Sequence, residues 1–213
     1  PFQYLTYISR IELTFADHKV KSVRGNLVRV DASLSEDRAI KSRVRAMQRE
    51  LEKDPKYREL FTIVAHLAAP LTVDELGART VELMRDLTHA DAALSTKSSF
   101  RQPLPSGDIT IELLRAAMPY DNEIVVAEMN GEQLQKLLTT ANESYVVKPQ
   151  TIDPAKTYKV AATDYMARVA YRDFFPNGQG TGLRVREEFR SAVAKPPLSD
   201  PDRKAVAPSP PHS

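Results

Sequence analysis

The chain has 213 residues, is 42% hydrophobic and contains no cysteine, so it can bury a sizeable core but cannot form a disulfide, a thiolate nucleophile or a cysteine-ligated zinc site. Its 30 Lys and Arg against 28 Asp and Glu leave a formal charge of +2, too small an excess for nucleic-acid binding through phosphate contacts. No apolar run reaches the roughly 18 residues that a membrane span needs, and no apolar leader opens the chain.

Residues 2–31 predict a β-hairpin. Ile11, Leu13 and Phe15 alternate with Arg10, Glu12 and Thr14, turn chemistry follows at Ala16, Asp17, His18 and Lys19, and Val20, Val23, Leu27, Val28 and Val30 form the return strand. Two strands are marginal by themselves, so this hairpin is expected to lean on a sheet outside the chain. The start at Pro1, without an initiator Met, points to a fragment, a processed product or a trimmed piece. Ser35 is the N-cap candidate of a helix whose apolar face is Ile40, Val44, Met47 and Leu51 and whose other face is charged. Asp54-Pro55 supplies its stop, and a domain boundary is expected near residues 55–60.

A strand over 61–67 comes next, then a helix opened by the capping box Thr72-Val73-Asp74-Glu75, with Val73, Leu76, Leu83, Met84 and Leu87 as its buried stripe. Gly77 in that helix marks a place of close approach. A short strand over 92–95 leads into a polar loop over 96–107, after which Thr110 caps a short helix ending at Pro119. Residues 123–129 read as a strand, and Asn130 with Gln133 forms a second capping box before a helix with Leu134, Leu137, Leu138 and Ala141 on one face. Residues 158–162 predict a further strand. The glycines of 177–182 follow no clear strand and open no clear helix, and a plain flexible loop is expected there rather than a phosphate cradle. Over 194–213, six of the fifteen prolines crowd together without periodicity, which predicts an extended or disordered tail dispensable to the fold. The division is thus a hairpin over 1–33, a linker helix over 34–60, an α+β domain with a mixed sheet and packed helices over 61–193, and a tail over 194–213.

Hydrolytic chemistry finds no support in the motifs. The histidines at 18, 66, 89 and 212 show no metal-ligand spacing, and His89 beside Asp91 reads as a helix-terminal residue complementing the dipole. There is no Gly-x-Ser-x-Gly elbow, and Ser95, Ser98 and Ser99 have no neighbouring base in sequence. The chain alone is therefore expected to lack phosphatase activity and to recognise a ligand beside a catalytic unit outside it.

The order of elements carries a resemblance. Ala90-Asp91-Ala92-Ala93-Leu94, the loop with Phe100-Arg101, Pro105-x-Gly107-Asp108-Ile109-Thr110, Met118-Pro119-Tyr120-Asp121-Asn122, Met129-Asn130-Gly131-Glu132-Gln133-Leu134 and Tyr158-Lys159-Val160-Ala161-Ala162-Thr163-Asp164-Tyr165 together resemble the C-terminal domain of the 5'-nucleotidase family over residues 61 to 167. The hairpin and charged helix resemble the end of that family's metallophosphoesterase domain and its interdomain linker. The resemblance implies a domain that grips the nucleoside part of a nucleotide or related small phosphoester, next to a missing N-terminal catalytic domain. The divalent metal ions it implies belong to that missing domain, and this chain itself needs no cofactor. It implies that Tyr120 and Tyr165 sandwich the base, that Arg101 reaches anionic or hydroxyl oxygens, that Asn122 contacts the base, and that Thr96 begins the loop leading to Arg101. It leans towards a bacterial cell envelope or exterior, periplasmic or extracellular.

This sequence departs from the family at the loop, where Thr96, Lys97, Ser98 and Ser99 replace an Asn and glycines; no Gly-Gly-Asp-Gly segment follows Tyr165, and no arginine stands among residues 70–74. Each site residue also has a plainer reading: half-buried packing aromatics for the tyrosines, an ion-pair residue for Arg101, a turn closer for Asn122. The rival to substrate recognition is a non-catalytic interaction or structural module that kept the fold, lost the nucleotide pocket and holds protein partners.

Overall fold

The computed structural model describes residues 7–31 and 33–194. The chain divides into two compact units, Pro1–Asp54 and Pro55–Ser213. Apart from Ala194, the expected tail lies outside the described residues.

In the first unit, β1 (Tyr7–Ala16) pairs antiparallel with β2 (Lys19–Arg29). Asp17 and His18 both take positive φ, 50° and 59°, the pair of left-handed residues that closes a two-residue hairpin along the strands' own twist. Directly opposed residues share a face, so Leu13↔Val23, Phe15↔Val20 and Ser9↔Leu27 put Leu13, Phe15, Val20, Val23 and Leu27 on one side, all exposed. α1 (Arg38–Lys53) carries the expected stripe of Ile40, Val44, Met47 and Leu51, also exposed. Its cap is Asp37 rather than the predicted Ser35. The Asp37 carboxylate accepts from the backbone N–H of Ala39 and of Ile40 at 2.9 and 3.0 Å, two bonds from one acceptor group that helix entry favours.

The second unit is an α+β domain around a five-stranded mixed sheet. It comprises β3 (Ile63–Leu67), α2 (Val73–Thr88), β4 (Ala92–Thr96), β5 (Gly107–Thr110), α3 (Ile111–Ala117), β6 (Glu123–Asn130), α4 (Gly131–Thr140), β7 (Ser144–Val147), β8 (Thr157–Thr163), β9 (Gln179–Arg184) and α5 (Val185–Ala194). The sheet order is β7-β4-β8-β6-β9, with β4 and β8 parallel and the other neighbours antiparallel; β3 and β5 form a separate ribbon. Both faces of the sheet are covered, which is why its central strands are apolar at successive positions. On one face Ala93, Ile124 and Ala161 pack with Leu76, Val81 and Met84 of α2, Leu114 of α3 and Phe189 of α5. On the other, Leu94, Val125, Val160 and Ala162 pack with Leu134 and Leu137 of α4 and with Met166.

Both predicted capping boxes are formed. The Thr72 hydroxyl accepts from Glu75 N while Glu75 accepts from Thr72 N, and Asn130 with Gln133 does the same for α4. The strand expected over 61–67 starts at Ile63, because Arg58–Phe61 coil into a 3₁₀ turn. The glycine segment is not a plain loop: Gln179–Arg184 is the edge strand β9, held as Thr181 Oγ1 donates to the Ile124 carbonyl at 2.7 Å and the Gly182 N–H donates to Glu123 Oε1 at 2.9 Å. A β-carbon on Gly180 would overlap that Glu123 carboxylate, so the glycine lets the edge strand close over it. Among the described residues, no helix is long and apolar enough to cross a membrane.

Candidate functional site

Topology brings three connections to one end of the sheet. β4 and β8 run parallel, with Leu94 beside Ala162, and β6 runs antiparallel to β8, with Ile124 opposite Thr163. The residues at the carboxyl ends of β4 and β8 and just ahead of β6 therefore emerge together. That is where open α/β sheets place ligand sites, because loops there can vary while the strands stay fixed. Thr96 ends β4, Asn122 precedes β6, and Tyr165 lies two residues beyond β8.

Each segment is pinned from below. After Thr96 the chain turns through a 3₁₀ helix, Lys97–Ser99, and buries Phe100, whose ring meets Tyr145 edge-on at 5.4 Å between centroids. The Arg101 N–H donates to the Ala117 carbonyl at the end of α3, at 2.9 Å. On the segment that carries Tyr120, Arg186 of α5 donates to the Met118 and Pro119 carbonyls at 3.1 and 3.2 Å and pairs with Asp121 at 3.5 Å, its side chain only 11% exposed. The Asn122 carbonyl accepts from Val185 N at 2.9 Å. Tyr165 lies in a helical turn that widens into a π-helix, Met166–Ala170, and its N–H donates to the Asp164 carboxylate at 2.8 Å. Irregular π turns of this kind recur at functional sites.

These segments enclose a cleft of about 320 Å³ lined by Thr96, Ser98, Ser99, Arg101, Tyr120, Asn122 and Tyr165. All five residues marked in the sequence, Thr96, Arg101, Tyr120, Asn122 and Tyr165, lie on it. Tyr120 and Tyr165 are each about half exposed, at 49% and 48%, leaving ring surface available to a ligand. Arg101 Nη2 donates to Tyr120 Oη at 2.8 Å, and its guanidinium carbon lies 5.6 Å from the Tyr120 ring centroid, within cation–π range. The hydroxyls of Thr96 and Ser99 are 2.8 Å apart, and Ser98 Oγ donates to Thr96 Oγ1 at 3.3 Å.

Ser98 and Ser99 are lining residues that the sequence marks only as nucleophiles without a base and as loop positions where the family has glycines. The signal was spacing: a 3₁₀ turn brings residues three apart to one side, as it does Thr96 and Ser99. Among the described residues, the lining carries one cation and no carboxylate. Nearby acids are engaged elsewhere, Asp121 with Arg186 and Glu123 with Arg168 and the Gly182 N–H. The arrangement suits a planar ligand with an electron-rich or anionic end.

Among the described residues, no three His, Asp or Glu side chains converge in a way that could hold a metal ion. His66 and Asp108 pair at 2.8 Å on the exposed β3–β5 ribbon and do not line the cleft. His89 is the left-handed C-cap of α2, and Asp91 accepts from Lys159 N at 2.8 Å, which accounts for that pair structurally.

Residues 66–151 match the family model for the 5'-nucleotidase C-terminal domain. Protein UshA of Escherichia coli (strain K12) is 27% identical over 116 residues, covering 43% of this chain and 21% of that protein. Silent protein UshA(0) of Salmonella typhimurium (strain LT2) is 28% identical over 104 residues, covering 38% of this chain and 19% of that one. The chain thus matches about a fifth of the length of these curated relatives. Among solved structures, the 5'-nucleotidase precursor from Thermus thermophilus superposes with a TM-score of 0.65 at 17% identity, over 89% of this chain and 47% of that one. The 5'-nucleotidase from Candida albicans gives 0.62 at 10% identity, over 90% and 53%.

Proposed function

We propose, from the match of residues 66–151 to the family model for the 5'-nucleotidase C-terminal domain, that this chain is the substrate-recognition part of a 5'-nucleotidase-like phosphoester hydrolase. The observation that carries the reading is the meeting of Tyr120 and Tyr165 with Arg101 and Asn122 on one cleft of about 320 Å³, the lower end of the range for small-molecule sites. A nucleobase stacks against tyrosine through its π-face, Asn122 offers both a donor and an acceptor to base edges, and Arg101 meets the charged or hydroxylated end. Phosphoester cleavage, with its divalent metal ions, is assigned to a catalytic domain outside this sequence. The exposed apolar face of Leu13, Phe15, Val20, Val23 and Leu27 suits a hairpin that docks on that domain. A periplasmic or extracellular setting in a bacterium follows from the same family reading.

Calorimetric titration of adenosine and uridine tests it. Binding is expected to be weak, because Thr96 to Ser99 replace the family's glycine loop, and Tyr120→Ala or Tyr165→Ala should each weaken it by about 1 to 3 kcal/mol. Alanine variants that titrate like the wild type would instead favour an interaction module that kept the fold and lost the pocket.

A further inference from the structure

We propose that the Tyr120 hydroxyl is a positioning group: it holds the Arg101 guanidinium ready for the anionic end of the ligand, so that one oxygen atom sets the cleft's preference for a charged aromatic molecule over a neutral one. The inference rests on the reading of this cleft as a nucleoside site and adds a determinant of charge selectivity to it.

The geometry carries it. Stacking requires only a ring at position 120, and a phenyl ring would serve. The hydroxyl does something different, accepting from Arg101 Nη2 at 2.8 Å while the guanidinium stays within 5.6 Å of the ring centroid. Both ends of this contact are fixed to the same piece of scaffold. The Arg101 backbone N–H is bonded to the Ala117 carbonyl, and Arg186 grips the Met118 and Pro119 carbonyls just ahead of Tyr120.

An arginine side chain is long and rich in rotamers, and ordering it before the ligand arrives removes an entropic cost from binding. The bond to Tyr120 uses one edge of a planar fork whose several donors suit it to grip an oxyanion. Among the described residues, no carboxylate lines the cleft to repel such a ligand, and the hydroxyls of Thr96, Ser98 and Ser99, bonded to one another on the same loop, leave one further O–H to donate. Removing the Tyr120 hydroxyl breaks this one contact of Arg101 and leaves both the charge and the stacking face in place.

The test compares the wild type with Tyr120→Phe, using adenosine, adenosine monophosphate and inorganic phosphate as probes and the Arg101 Nε–H resonance as the local reporter. The ratio of monophosphate to adenosine affinity should fall about fivefold to tenfold in Tyr120→Phe, and the response of Arg101 to phosphate should weaken similarly. Equal ratios in the two proteins, or an Arg101 response to phosphate unchanged by the substitution, would overturn the positioning role while leaving base stacking intact. Should both proteins ignore adenosine while phosphate still moves Arg101 more in the wild type, the nucleoside reading falls and the positioning role stands.

Discussion

The aromatic ring of Tyr145 lies directly against Gly77, so close that a β-carbon at position 77 would overlap the ring. Gly77 is in α2 and Tyr145 in β7, and the Tyr145 hydroxyl donates to Asp74 of the same helix at 2.7 Å. The ring also meets Phe100, the buried residue next to Arg101, so this contact supports the loop that delivers the guanidinium to the cleft.

Gly77→Ala is therefore expected to destabilise the protein by about 1 to 3 kcal/mol, since displacing a ring held at both ends exceeds the ~1 kcal/mol that alanine gains over glycine inside a helix. Chemical denaturation of the single and double variants checks the cause. In a Tyr145→Ala background the same substitution should become neutral or stabilising, and a cost that persists there would place the strain elsewhere.

The Tyr145–Asp74 bond has a pH signature. Burial first, then the hydrogen bond to Asp74 and its charge, push the Tyr145 hydroxyl up from an ordinary 10.0 to about 12. The folded state thus holds this proton more tightly than the unfolded state. Its contribution is fully present below pH ~10 and is lost as pH rises towards 12. Between these values the wild type should lose stability more steeply with pH than Tyr145→Phe. Parallel slopes would show that the hydroxyl is not coupled to folding.

Much of this fold is legible in the residues because local chemistry decides it. Thr72 with Glu75 and Asn130 with Gln133 announce their helices by reciprocal capping, and β6 and β8 stand out as apolar runs. What escaped the sequence depends on distant partners. β9 contains two glycines and one apolar residue, and it is a strand because Glu123, Ile124 and β6 receive it. β7 has only four residues and pairs with β4, some fifty positions earlier in the chain. α5 was hidden by a charged surface, with Val185 and Phe189 as its only buried residues. The cleft was legible through family order rather than local pattern: nothing near Tyr120 or Tyr165 in sequence says that they meet, and the antiparallel pairing of β6 with β8, Ile124 opposite Thr163, is what brings their loops together.

Arg186 should matter to the cleft without lining it. It holds the Met118 and Pro119 carbonyls and the Asp121 carboxylate from α5, and its removal leaves those acceptors short of a partner. Arg186→Met is expected to cost about 1 to 3 kcal/mol in stability and to weaken nucleoside binding by loosening Tyr120. Denaturant midpoints and calorimetry on the same samples measure both. Full affinity in a destabilised variant would show that Tyr120 is positioned by other contacts.

The central claim is that Tyr120 and Tyr165 bracket one planar ligand, and NMR of protein labelled at its tyrosine rings tests it most directly. The chain has eight tyrosines and no tryptophan, so ring signals are few and assignable by single Tyr→Phe variants. On titration with adenosine, the signals of Tyr120 and Tyr165 are expected to move together along one binding curve, with ring-current shifts from the stacked base. The buried ring of Tyr158 should stay in place. If only one of the two tyrosines responds, if they follow different curves, or if neither moves at millimolar adenosine, the two rings do not share a ligand and the account of this cleft is wrong.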